Sequence, residues 1–176
     1  VIAEVEGLPD DLTDSLCEEL AGVVKVARIL EIKPPTRIEG VENISELVAD
    51  VIRNCRDQTA QLNFGLSFFG ETTKLPSQAV AERIGLTVKK ILKKDFSHLR
   101  WVRPNRGVLS SVVVKSQLLT PRGLELMVWI TSGFCLFAET VAVQEFADWS
   151  ERDYGRPRRN AKRGMLPPKL ARTMIN

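Results

Sequence analysis

Three times along this chain a stretch with helical apolar spacing gives way to a run of strand length and composition, after which mostly strand-like runs follow. Asp10 to Leu20 reads as a helix, with Leu12, Leu16 and Leu20 on one face and Asp10, Asp11 and Asp14 near its start, where carboxylates suit the helix dipole. Gly22 ends it, and the β-branched run Val23 to Ile32 follows as a strand closed by Pro34 and Pro35. Asn43 to Asn54 carries the stripe Ile44, Leu47, Val48 and Val51, with Asn43 and Glu46 as a capping-box start, and leads to the buried strand Leu62 to Phe69. Ser77 to Lys94 turns Val80, Ile84, Val88, Ile91 and Leu92 inward and Arg83, Lys89, Lys90, Lys93 and Lys94 outward. Extended runs are then expected at 99–103, 109–118, 124–130 and 134–141, separated by glycine-bearing turns. This order predicts an α+β fold with helices packed on a mixed sheet.

Charge is distributed as unevenly as periodicity. Residues 1–75 carry a balance of −7, residues 76–151 one of +3 and residues 152–176 one of +7, summing to the net +3. Such polarity predicts a face for a polyanion in the second half. Lys89, Lys90, Lys93 and Lys94, followed by Arg100, Arg103 and Arg106, are the residues expected to form it by phosphate contact. A solubilising helix face would carry the same lysines. Further on, Arg152, Tyr154, Arg156, Arg158 and Arg159 read as an extended arm stiffened by Pro157, with Tyr154 as a stacking ring. The same arm would suit docking on an acidic domain.

Catalytic chemistry is not evident. There is no G-x-G-x-x-G, no G-x-x-x-x-G-K-[ST] and no G-x-S-x-G. The single histidine, His98, excludes a His-rich metal centre, and three scattered cysteines, Cys17, Cys55 and Cys135, suit neither a disulfide framework nor a cysteine zinc site. His98 reads as a surface or structural residue, and Cys135, between Phe134 and Leu136, as a core thiol. With aromatics at 6%, a single-strand stacking platform has little material. No apolar run approaches membrane length and no basic leader opens the chain, so a cytoplasmic protein is expected. Its first residue is Val1 and its last Asn176, so a piece of a longer protein is expected.

Several segments resemble one family. F-G-L-S-F-F-G (64–70), I-G-L-T-V-K-K-I-L-K-K (84–94), L-R-W-V (99–102), L-S-S-V-V-V (109–114), G-L-E-L (123–126) and E-T-V-A-V-Q (139–144) look like a THUMP domain. R-D-Y-G-R-P-R-R-N-A-K-R-G-M-L-P-P-K-L-A (152–171) is similar to the linker and entry helix of THUMP-bearing RNA methyltransferases, especially those acting on the N2 amine of guanine in tRNA. A-G-V-V-K-V-A-R-I-L (21–30) resembles the ferredoxin-like domain that precedes THUMP in that group.

The resemblance implies a ferredoxin-like part at 1–43, a THUMP RNA-binding domain at 44–147, and at 148–176 a basic linker entering a Rossmann-like methyltransferase domain that this chain lacks. It implies tRNA as partner, held near the acceptor stem and its 3′ end, together with the chain's own methyltransferase domain and room for an activating subunit. S-adenosylmethionine would belong to that missing domain, with no cofactor or catalytic residue in this portion. The family's Asp- or Asn-Pro-Pro-aromatic catalytic motif is not met by Pro167-Pro168, because Leu166 precedes and Lys169 follows. Alternatives are a fragment of a DNA N6-adenine-type methylase, a non-catalytic protein-docking scaffold, and a THUMP-bearing tRNA thiolation or deaminase-type enzyme, against which the L-P-P-K-L-A segment argues.

Overall fold

The computed structural model describes residues 12–34, 40–58, 61–105, 107–155 and 166–175. Their elements run α1 (Leu12–Glu19), β1 (Lys25–Lys33), α2 (Val41–Cys55), β2 (Gln61–Gly70), α3 (Gln78–Leu92) and β3 (His98–Val102). There follow the short turn α4 (Ser111–Val113), a π-helix (Val114–Leu118), β4 (Gly123–Ile130), β5 (Cys135–Val143), α5 (Phe146–Tyr154) and α6 (Pro168–Ile175). The five strands make one mixed sheet in the order β1-β5-β4-β2-β3, so the α+β expectation holds. The chain divides into two compact units, residues 27–140 and residues 1–26 with 141–176.

In the larger unit, β2 is the organising strand. It pairs in parallel with β3, Gln61 opposite His98 through Gly65 opposite Val102, and in parallel with β4, Asn63 opposite Gly123 through Gly70 opposite Ile130. β4 then pairs antiparallel with β5, Leu126 opposite Glu139. Going from β2 to β3 the chain crosses through α3; going from β3 to β4 it must pass back over β2. Both crossovers stay right-handed only if the return lies on the other face of the sheet. Accordingly α2 and α3 cover one face, around Leu62, Phe64, Leu66 and Phe68 of β2, and the 109–118 segment covers the other. At Gly65 the absent side chain makes room for Leu109 and Leu118, which pack directly against the strand. Burial on both faces explains why β2 reads as a nearly continuous apolar run.

Helix α3 begins as read, with Ser77 as N-cap and its side chain accepting from the Val80 N–H at 3.4 Å. Its buried stripe is Ala81, Ile84, Gly85, Val88 and Leu92. Helix α2 buries Ile44, Ser45, Val48, Ala49, Val51 and Ile52, but it starts earlier than the capping box at Asn43 predicted. Gly40 is the N-cap, at φ 103°, and no side chain caps the first turn, so Asn43 lies within the helix. Leu20, placed on the apolar face of the first helix by its spacing, falls just beyond α1 and is exposed.

The 109–118 segment is not the expected strand. Ser110 caps a turn of helix, its Oγ accepting from the Val113 N–H at 3.4 Å, and the π-helix follows. Three consecutive valines favour a strand by propensity, but a strand here would require a partner, and β2 already has one on each side. Helical winding instead aims Val114 and Leu118, one turn apart, at the sheet face, where both are buried.

The second unit contains its own polar clasp. Buried Gln144 donates through Nε2 to the Ala21 carbonyl at 3.2 Å, accepts through Oε1 from Lys169 Nζ, and its N–H donates to the Val24 carbonyl at 2.9 Å. The Gln144 side chain thereby ties Ala21 to α6, while its backbone holds Val24.

Candidate nucleic-acid interface

The lysines named from the sequence lie at the C-terminal end of α3 and in the turn that follows. Lys89, Lys90, Lys93 and Lys94 are all exposed. The negative end of the helix dipole favours cations at this place on electrostatic grounds alone. Asp95, the carboxylate next to them, is engaged by Arg53 of α2 through an Nε–Oδ2 bond of 2.9 Å. Among the described residues no ion pair neutralises any of these four lysines.

The arginines do not join them as one surface. Arg103 follows the far end of β3 and bonds Glu82 of α3, its Nε donating to Oε1 at 3.0 Å. That hydrogen bond holds the Glu82 carboxyl below its ordinary range, so the Arg103 charge is compensated. Lys93 and Lys94 precede the opposite end of the same strand. Arg100 alternates with Leu99 and Trp101, which pack toward the helices, and therefore lies on the other face, where Nη2 donates to Gln117 Oε1 of the π-helix at 3.3 Å. Arg106 lies outside the described residues, as do Arg156, Arg158 and Arg159.

Arg152 and Tyr154 are not part of an extended arm. They belong to α5, where Glu145 caps the first turn by accepting from the Ala147 N–H and Gly155 closes the last. Capping at both ends outweighs the extended reading, which leaned on Pro157 beyond the helix. The Arg152 guanidinium lies over the Trp149 ring, 4.9 Å from its centroid, while Tyr154 is exposed.

Three features lie outside any local sequence pattern. Arg122, just before β4, donates through Nη1 to Gln61 Oε1 at 2.9 Å. Buried within the sheet, Glu125 accepts from Ser67 Oγ and from Thr140 Oγ1, each at 2.6 Å, and Ser67 Oγ in turn accepts from the Leu109 N–H at 3.0 Å. Phe69 and Trp129, sixty residues apart in sequence, stack across the β2–β4 register with centroids 5.6 Å apart. His98 is exposed at the start of β3, and Cys135 is buried at the start of β5.

Among the described residues no group of three His, Cys, Asp or Glu is placed to hold a metal ion, and no helix is long and apolar enough to cross a membrane. No protein-family model matches the chain, and no curated protein matches it either.

Proposed function

We propose that this chain is the tRNA-binding portion of an S-adenosylmethionine-dependent RNA methyltransferase, holding the acceptor end for methylation of a guanine amine by a domain beyond Asn176. The observation that carries this reading is the group of uncompensated lysines, Lys89, Lys90, Lys93 and Lys94, at one end of α3. Point charges on flexible stems suit contact with phosphates, which supplies affinity and register without reading bases. The THUMP-like segments and the L-P-P-K-L-A stretch support the assignment to tRNA and to a methyltransferase, and the α+β architecture is compatible with it. On this reading the chain performs no chemistry itself; its contribution is to position the RNA.

The test is a titration with a tRNA transcript, a copy lacking the single-stranded 3′ end and a DNA duplex, across a salt series. Preference for the intact transcript, lost on removing its 3′ end, is expected. Charge reversal in K89E/K93E is expected to weaken binding, and unchanged affinity in that variant would remove the lysines from the interface. Equal weak binding to all three would leave only general charge attraction.

A further inference from the structure

Five arginines of the larger unit, Arg53, Arg56, Arg100, Arg103 and Arg122, fall into two classes by partner. Arg53 faces Asp50 and Asp95, Arg56 faces Glu139 and Arg103 faces Glu82, so each of these charges is compensated in place. Arg100 and Arg122 are different: both are held, but by neutral amide oxygens, Gln117 Oε1 and Gln61 Oε1. A glutamine can orient a guanidinium without cancelling its charge, and it occupies only one of five donors. Both arginines are exposed, and neither has any other partner among the described residues.

Strand register brings the two together. Asn63 of β2 has Arg100 of β3 opposite it on one side and Gly123 of β4 on the other, and Arg122 directly precedes Gly123, its carbonyl accepting from the Asn63 N–H at 2.7 Å. Adjacent strands are about 4.8 Å apart, so the two arginine backbones flank β2 at roughly two strand spacings. Gln61 lies two residues before Asn63 on the same face, and Gln117 approaches that face from the π-helix.

We infer that Arg100 and Arg122, aimed by Gln117 and Gln61, form a two-arginine clamp for the phosphodiester backbone of a nucleic-acid strand. Each guanidinium presents further N–H donors in a fork that matches phosphate oxygens. The clamp lies at the N-terminal end of the parallel strands, the end that the turn from Lys93 and Lys94 leads into, and would take the same phosphate chemistry as those lysines without forming one surface with them. In this respect the inference rests on the nucleic-acid reading above, but it makes its own demand: the contact is to phosphates and is indifferent to base, sugar and 3′ end.

The experiment measures binding of the whole chain to an oligouridine strand, the tRNA transcript and a DNA duplex across a salt series, with R100Q/R122Q, Q61A/Q117A and K89E/K93E beside the wild type. The changed side chains of R100Q/R122Q are exposed, and retention of the thermal melting curve checks its fold. R100Q/R122Q is expected to weaken binding to all three probes and to lower the slope of log Kd against log salt by about 0.7 per arginine on the single strand. Q61A/Q117A keeps both charges and is expected to weaken binding while leaving the slope unchanged, which a merely electrostatic patch would not do. Equal binding of the three probes by the wild type, with loss in R100Q/R122Q, would support the clamp and remove the tRNA reading. Preference for tRNA that R100Q/R122Q leaves intact would overturn the clamp and keep that reading. Wild-type affinity in Q61A/Q117A would overturn the aiming by glutamine, and binding of none of the probes would overturn both proposals.

Discussion

Ser67 of β2 and Glu125 of β4 meet inside the sheet, the serine Oγ donating to the carboxylate at 2.6 Å with both residues buried. Thr140 of β5 donates to the other carboxylate oxygen, so three strands are joined by one acidic side chain, and the Leu109 N–H on Ser67 adds the return crossover. Replacing Glu125 with alanine removes the acceptor for two buried hydroxyls and opens a cavity. The expected cost is about 2–4 kcal/mol, read as a lowered urea midpoint. Glu125→Gln keeps an acceptor oxygen and is expected to cost less. A Glu125→Ala variant as stable as the wild type would show that the network contributes nothing net.

Gly123 is required by contact. A Cβ at this position would overlap the backbone carbonyl of Leu118, where the π-helix ends, and a backbone cannot rotate away as a side chain can. Gly123→Ala is expected to destabilise by about 1–3 kcal/mol, with the melting temperature as readout. It would also disturb the neighbouring Arg122, so weaker oligouridine binding is expected with it.

Burial pushes the Cys135 thiol up to about 11 from an ordinary 9.0, and the Cys55 thiol moves in the same direction for the same reason. The folded state therefore keeps its thiol protons where the unfolded chain has lost them. This contribution to stability is whole below pH 9 and declines as pH rises toward about 11, by roughly 1.4 kcal/mol per pH unit for Cys135. Unfolding free energies in urea, compared at about pH 8 and about pH 10.5, should fall more steeply for the wild type than for Cys135→Ala. Parallel declines in the two proteins would contradict the assignment.

Arg53 joins α2 to the turn after α3 by bonding Asp95 at 2.9 Å, and Asp50 one turn away at 2.8 Å. The Asp95 hydrogen bond is the largest cause of the raised Arg53 pKa. Because these groups are partly exposed, Asp95→Ala is expected to cost only about 0.5–1 kcal/mol, and less in high salt. A loss that salt does not diminish would point to packing in place of charge.

Helices with strong periodicity were legible from residues alone. The stripes of α2 and α3 and the paired runs of β2, β4 and β5 follow local spacing, and Ser77 announces the start of α3. Propensity misled at 109–118, where valines wind into helix because the sheet has no free place for a strand beside β2. The enclosure of Glu125 was not legible either: alternation sends a polar strand residue to solvent, but β4 is a central strand whose second face is closed by the return crossover. The grouping of Arg100 with Arg122, and of Phe69 with Trp129, depends on register between strands far apart in sequence, which no local pattern encodes.

Spacing and composition alone were enough for the three helix–strand alternations of the first hundred residues, for β4 and β5, and for the gathering of basic residues in the second half. The tertiary structure decided which charges remain uncompensated and which polar groups are enclosed. Those outcomes depend on partners: a carboxylate beside Arg103, a glutamine beside Arg122, two hydroxyls beside Glu125. Partners come from register and from crossover handedness, and both are properties of the whole sheet.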